Sequence, residues 1–203
     1  LHMEKEHSAS NLKAAIGEMF QAVDDLLEAF LQRSAQEGKA SDCKQGCAWC
    51  CHQEVFALSH EFLYLNEYVN EHLSEDARLR ILENAREKVK KTMNKTLEEQ
   101  LKIRFACPFL ESGSCLVYEA RPMACRIYLS SSAPSCEKDY NHPHDRRHYP
   151  DLFEFPLQAG RMINEGFVAG LKQMGLQVAE LPIEQGYSSL VTLGQTMDDW
   201  VSS

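Results

Sequence analysis

The sequence predicts a mainly α-helical bundle with an inserted cysteine-rich loop and hairpin module that binds metal. Three observations carry this prediction. Apolar residues recur at helical spacing at both ends of the chain. A cysteine-dense stretch without periodicity lies between them, and no alternating strand–helix pattern or repeat at solenoid spacing is present.

The first helix is expected over residues 10–36, where Leu12, Ile16, Met19, Phe20, Val23, Leu26, Leu27, Phe30 and Leu31 recur at helical spacing before Gly38 ends it. A second helix follows from Ser59, read as its N-cap, with Phe62, Leu65, Tyr68, Val69 and Leu73 along one side. Ser74 caps a third, with Glu75 and Asp76 in its first turn; Leu79, Leu82, Val89, Met93, Leu97 and Leu101 extend it to about residue 103. From Phe105 two short apolar runs flank Glu-Ser-Gly-Ser, which reads as a small hairpin. Pro122 then opens a short helix, and residues 130–151 read as a long loop. Pro156 and Gly175 bracket another helix, and a last one spans about 184–201 with Leu190, Leu193, Met197 and Trp200 on one side. Residues 1–203 are taken as one domain, with a cysteine module at about 43–136 between flanking helices at about 10–36 and 155–201.

At 203 residues the chain is long enough to bury a core without covalent staples. Hydrophobic content of 44% and charged content of 25% are ordinary for a globular domain. A formal charge of −9 argues against nucleic acid, whose affinity comes from clustered Lys and Arg. No apolar run is long enough to span a membrane, so no membrane partner is expected. Met3 is the expected natural start, and the first ten residues lack the basic start and apolar core of a secretory leader. The expected location is therefore cytoplasmic, where lasting disulfides are rare.

That matters for the eight cysteines, which as a disulfide framework would allow roughly a hundred pairings. Four fall together as Cys43-x3-Cys47-x2-Cys50-Cys51; the others are Cys107, Cys115, Cys125 and Cys136. Soft thiolates select zinc, copper(I) or iron–sulfur clusters, and all eight are candidate ligands. In a straight helix Cys43 and Cys50 would stand about 10 Å apart along the axis. Sulfurs around one zinc ion sit only about 4 Å apart, so the segment must bend, and Gly46 permits the bend. The wider spacing around an iron–sulfur cluster relaxes that demand. Successive side chains diverge by about 100° on a helix, so Cys50 and Cys51 are not expected to serve one mononuclear site together.

Cys43-x3-Cys47-x-Trp49-Cys50 also matches the cysteine pattern of radical SAM enzymes, but no strand precedes Cys43 as that context requires. A closer match is the full order of motifs: the four-cysteine cluster, Cys107-Pro108-Phe109-Leu110, Cys115, Tyr118, Arg121-Pro122 and Cys125-Arg126. Together these resemble the YkgJ-type cysteine-cluster family, described as chelating zinc or iron. The resemblance covers residues 43 to about 136 and implies that an iron–sulfur cluster or zinc is bound by these cysteines. Iron–sulfur oxidoreductases and flagellin lysine N-methylases are similar over the cluster. It implies no substrate.

Beside the cysteines, Arg121 and Arg126 are candidates to offset thiolate charge or bind an anion, with ion pairing to Glu119 or a neighbouring helix as the alternative. Tyr118 is a candidate hydrogen-bond donor to a sulfur. His52 is a candidate ligand or donor, whereas His142, His144 and His148 read as a solvated loop and His60 and His72 as surface. Asp24-Asp25 reads as a solvated helix face. The expected function is a metalloprotein, with redox or group-transfer chemistry. The alternatives are a structural zinc module that binds a protein partner, or a lysine N-methylase-like enzyme.

Overall fold

A computed structural model describes residues 8–145 and 147–202. It is mainly helical, as the sequence predicts. Helix α1 (Ala9–Gln36) starts where the Ser8 hydroxyl accepts the Asn11 N–H, and it buries Leu12, Ile16, Met19, Phe20, Val23 and Leu27. That stripe packs against α2 (Ser59–His72), whose Phe62, Leu63, Leu65 and Val69 are buried. Helix α3 (Glu75–Thr92) is capped by Ser74, as expected.

Several boundaries differ from the sequence reading. The α2 cap is not Ser59: that residue is the first of the helix, and its hydroxyl exchanges hydrogen bonds with Ala179. Helix α3 ends at Thr92, and a separate short α4 (Leu97–Lys102) follows with its own capping box, Thr96 and Glu99. The core face of α3 was also displaced. Ala77, Ile81, Ala85, Lys88 and Thr92 are buried, whereas Leu79, Met93, Leu97 and Leu101 are exposed.

Two short sheets position the cysteine segments. Strand β1 (Phe56–Leu58) pairs antiparallel with β4 (Glu180–Pro182), Phe56 opposite Pro182, so the chain leaving the first cysteine cluster is tied to the helix that begins at Ile183. This pairing spans most of the chain and was not expected from the sequence. The expected hairpin is present as β2 (Leu110–Glu111) and β3 (Ser114–Cys115), turning through Ser112 and Gly113, both at positive φ. Next come α5 (Met123–Ile127) and α6 (Ala133–Asn141). The latter corrects the expected unstructured loop; Ser132 caps it and Pro134 sits in its first turn.

The last helices are α7 (Glu154–Gln173), α8 (Ile183–Leu193) and α9 (Met197–Val201). Gly175 adopts positive φ just beyond α7, as the stop signal requires. The expected final helix is broken at Gly194, in the left-handed region, so α8 and α9 are separate. Helix α8 packs on both α2 and α3, closely enough that a Cβ on Gly186 would meet the Phe62 ring at 2.2 Å. Gly186→Ala is therefore expected to destabilise the fold by about 1–3 kcal/mol through overpacking. The check is a lower urea midpoint with unchanged slope. Among the described residues no helix is long and apolar enough to cross a membrane.

Candidate metal centre

All eight cysteines are free thiols, and seven of them line one cavity of about 370 Å³: Cys43, Cys47, Cys50, Cys51, Cys107, Cys115 and Cys125. Four pieces of chain deliver them. The first bends at Gly46, which has φ of 87°, and passes through a single 3-10 turn at Trp49–His52 that carries Cys50 and Cys51. The second runs from α4 into the hairpin; the Cys107 N–H donates to the Cys51 carbonyl at 2.7 Å, joining the two segments. The hairpin brings Cys115 opposite Leu110, and α5 brings Cys125. Cys136 lies outside the cavity lining, buried on α6, whose Tyr140 packs against Trp49 and His52.

The sulfurs are met by backbone donors in a repeated pattern. Cys47 accepts from the N–H of Trp49, Cys107 from Phe109 and Cys115 from Val117, each two residues further on. The Ser130 N–H adds a fourth, 3.2 Å from Cys43 Sγ. Donors held in this way stabilise thiolate and set ligand orientation.

Burial opposes them. It pushes Cys107 up to about 12 and raises Cys47, Cys115, Cys125 and Cys136; the thiol of Cys51 and then burial raise Cys50. Thiols so shifted are protonated at neutral pH unless a cation stands beside them, so binding must release protons. Among the described residues, no three His, Cys, Asp or Glu side chains stand together at the spacing a single ion needs. Cysteine has one rotor, and a change of χ1 rotamer carries its sulfur about 3 Å.

Charged groups frame the cavity. Arg121 lines it beside Cys115 and lies 3.9 Å over the ring of Tyr118, which also lines it and is exposed. Arg126 is placed differently. It is buried over Phe20, its guanidinium is bound by Asp24, and it donates to the carbonyls of Arg121 and Glu119. Ion pairing with a neighbouring helix is what the structure holds for both arginines, since Arg121 Nη2 also stands 3.3 Å from Asp24, and Asp24 is correspondingly not a solvated carboxylate. On the opposite side, Glu54 lines the cavity, and Lys88 Nζ stands 3.4 Å from Glu54 and 3.0 Å from Glu184. All three side chains are buried, and Glu54 Oε1 has no hydrogen-bond partner. Burial, then the adjoining Glu184 carboxyl, raises the Glu54 carboxyl. Sequence reasoning missed this triad.

Among the described residues no histidine lines the cavity. His52 Nδ1 lies 2.9 Å from the Ala48 carbonyl, and His142 Nδ1 is as close to that of Lys138. His148 faces Asp145. His60, expected at the surface, is instead fully buried against Phe167; burial lowers it to about 4, so it is neutral.

Glu61 fixes the approach of Cys125. Its carboxylate accepts the N–H groups of Leu58 and Met123, both at 2.7 Å, holding the start of α5 to α2. Burial nevertheless raises Glu61 to about 7. The folded chain then resists ionisation that the unfolded chain completes lower down. Stability is expected to fall from about pH 4.5 to pH 7 and flatten above, by at most about 3 kcal/mol from this group. Urea midpoints at pH 5 and 8, with chelator and reductant present, check this; Glu61→Gln is expected to reduce the difference.

A family model described as "Putative zinc- or iron-chelating domain" matches residues 42–146, slightly more than half of the chain. No curated protein and no solved structure matches.

Proposed function

Because the chain belongs to the CxxCxxCC family of zinc- or iron-chelating domains, we propose that it is an iron–sulfur protein acting in electron or group transfer. Metal binding by cysteines follows from the family. The finer assignment rests on one observation above all: seven thiols surround a single cavity of about 370 Å³. Such a volume is that of a small-ligand pocket rather than of one ion, and it leaves room for a reactant beside a cluster. When bound, a cluster supplies one-electron chemistry at a potential set by burial and by hydrogen bonds to sulfur.

The chain's own residues then have definite tasks. The thiolates of Cys43, Cys47, Cys50, Cys51, Cys107, Cys115, Cys125 and Cys136 form the ligand pool. The N–H groups of Trp49, Phe109, Val117 and Ser130 orient four of those sulfurs. Arg121 places positive charge at the cavity wall, where it offsets thiolate charge and attracts an anionic reactant. Tyr118 packs under that guanidinium and fixes it. Eight free thiols suit a reducing compartment, and we place the protein in the cytoplasm on that ground.

Anaerobic reconstitution tests this reading. Ferrous iron and sulfide added to the reduced protein are expected to produce broad visible absorbance that saturates at a fixed iron-to-protein ratio and survives gel filtration. Loss of colour on filtration, with stoichiometric retention of zinc offered instead, would favour a structural zinc module.

A further inference from the structure

We propose that α3 carries a self-complementary surface on which a second copy of this chain docks antiparallel, forming a two-fold dimer. The surface lies on the side of α3 opposite Lys88, so it stands apart from the cysteine cavity.

Helical geometry separates the two sides of α3. Ala77, Ile81, Ala85, Lys88 and Thr92 are buried, and Lys88 on that side meets Glu184 of α8. At about 100° per residue, Leu79 lies about half a turn round from Lys88, and Met93 lies within about 40° of Leu79. Both are large apolar side chains, 59% and 67% exposed. They add nothing to the core of the single chain, although they span about 21 Å of helix. Leu79, Leu82, Glu83, Arg86, Glu87 and Lys90 border one open depression on this side. Arg86 Nη2 donates to Thr192 Oγ1 at 3.0 Å, which sets the end of α8 beside the stripe, with Leu193 70% exposed. Clustered apolar exposure of this kind marks an interaction surface.

The order of charge along the stripe selects the occupant. From the N-terminal end it runs Glu83, Arg86, Glu87, Lys90, alternating negative and positive. An antiparallel copy presents the reverse order, with a positive group opposite every negative one. Glu83 and Lys90 share their midpoint with Arg86 and Glu87, so one two-fold axis through that point serves all four residues. Glu83 then faces Lys90 of the second copy and Arg86 faces Glu87 of the second copy, each pair made twice. The same axis sets Met93 of the second copy opposite the notch between Leu79 and Leu82, which are neighbours at three-residue spacing. An apolar contact thus closes each end of the charged centre. A parallel copy in register would instead oppose like charges.

Competing contacts within the chain are weak. Among the described residues Glu83 and Lys90 make no salt bridge, and the Glu87–Lys91 pair is exposed on both sides. Exposed pairs of this kind contribute little and exchange readily. One helix pair of this length buries a small interface, so the dimer is expected to be reversible.

Sedimentation equilibrium of the full chain over roughly 1–200 μM, the range of a small transient interface, tests the proposal. Reductant keeps the eight free thiols from linking copies. Wild type is expected to pass reversibly from monomer to dimer, and added salt to push it back by screening the exposed pairs. Glu83→Lys and Lys90→Glu are each expected to raise the dissociation constant at least about tenfold, because each substitution acts twice across the axis. Mixed in equal amounts, the two variants are expected to form a heterodimer, each supplying the charge that the other lacks. Both substitutions lie on a solvated helix face, and unchanged far-UV circular dichroism checks the fold. A wild type that stays monomeric throughout, or a dimer that neither variant weakens, would overturn the proposal. A mixture of the variants that stays monomeric would overturn it as well. None of these outcomes depends on whether a cluster forms.

Discussion

Cys125→Ser is expected to abolish tight metal binding in the cysteine-lined cavity while leaving the fold intact. The side chain is held on a five-residue helix whose start is fixed by Pro122 and by the Glu61 carboxylate, with three other thiols as its neighbours. Serine keeps the shape but offers a harder oxygen that stays protonated at neutral pH. Loss of a hydrogen-bond partner around a ligand costs roughly 10–100-fold in metal affinity, so loss of the ligand itself is expected to exceed about 100-fold. Metal content after anaerobic desalting measures it, with far-UV circular dichroism as the check on folding. The same loss is expected for Cys47→Ser. Unchanged metal in either variant would remove that residue from the ligand set.

The second large effect concerns stability. Lys88 is a buried cation between Glu54 and Glu184, reached from three separate segments of chain. Lys88→Met is expected to cost about 3–5 kcal/mol, because it leaves two buried carboxyls facing each other without compensation. The loss should shrink at low pH. The Glu54 carboxyl is already raised by burial and by Glu184, and protonation removes the repulsion. Adding Glu184→Gln to Lys88→Met should recover part of the loss. Urea denaturation at pH 5 and pH 8 separates these outcomes. A loss below about 1 kcal/mol at pH 8 would mean the triad is a weak surface-like pair. Because Glu54 also lines the cysteine cavity, the same variant should hold metal less tightly.

Where the sequence was informative, a single local signal sufficed. The α1 stripe from Leu12 to Leu27 lies on the core because hydrophobic spacing alone decides which face of a long helix is buried. The hairpin turn at Gly113 and the bend at Gly46 were legible because positive φ favours glycine. The cysteine spacing likewise required a bent loop completed from elsewhere in the chain, and seven thiols do share one cavity.

The misreadings have a common cause: partners distant in sequence. Helix α3 buries Lys88 and exposes Leu79, and apolar spacing has no means of marking a lysine whose partners lie at Glu54 and Glu184. Asp24 read as solvated because its partner Arg126 lies about a hundred residues away. Strand β1 is three residues long, and only β4, near the other end of the chain, makes it a strand. Helix α6 was hidden by its polar composition, although Ser132 followed by Pro134 was a start signal in plain view. His60 read as surface because nothing in its neighbourhood identifies Phe167 as its cover.

The central claim is that the cysteine-lined cavity carries an iron–sulfur cluster. Anaerobic isolation followed by iron, zinc and acid-labile sulfide analysis tests it most directly, since air exposure lets zinc replace a decayed cluster. Coloured protein with iron and sulfide in comparable amounts is the expected result. A colourless protein with stoichiometric zinc and no sulfide would contradict it.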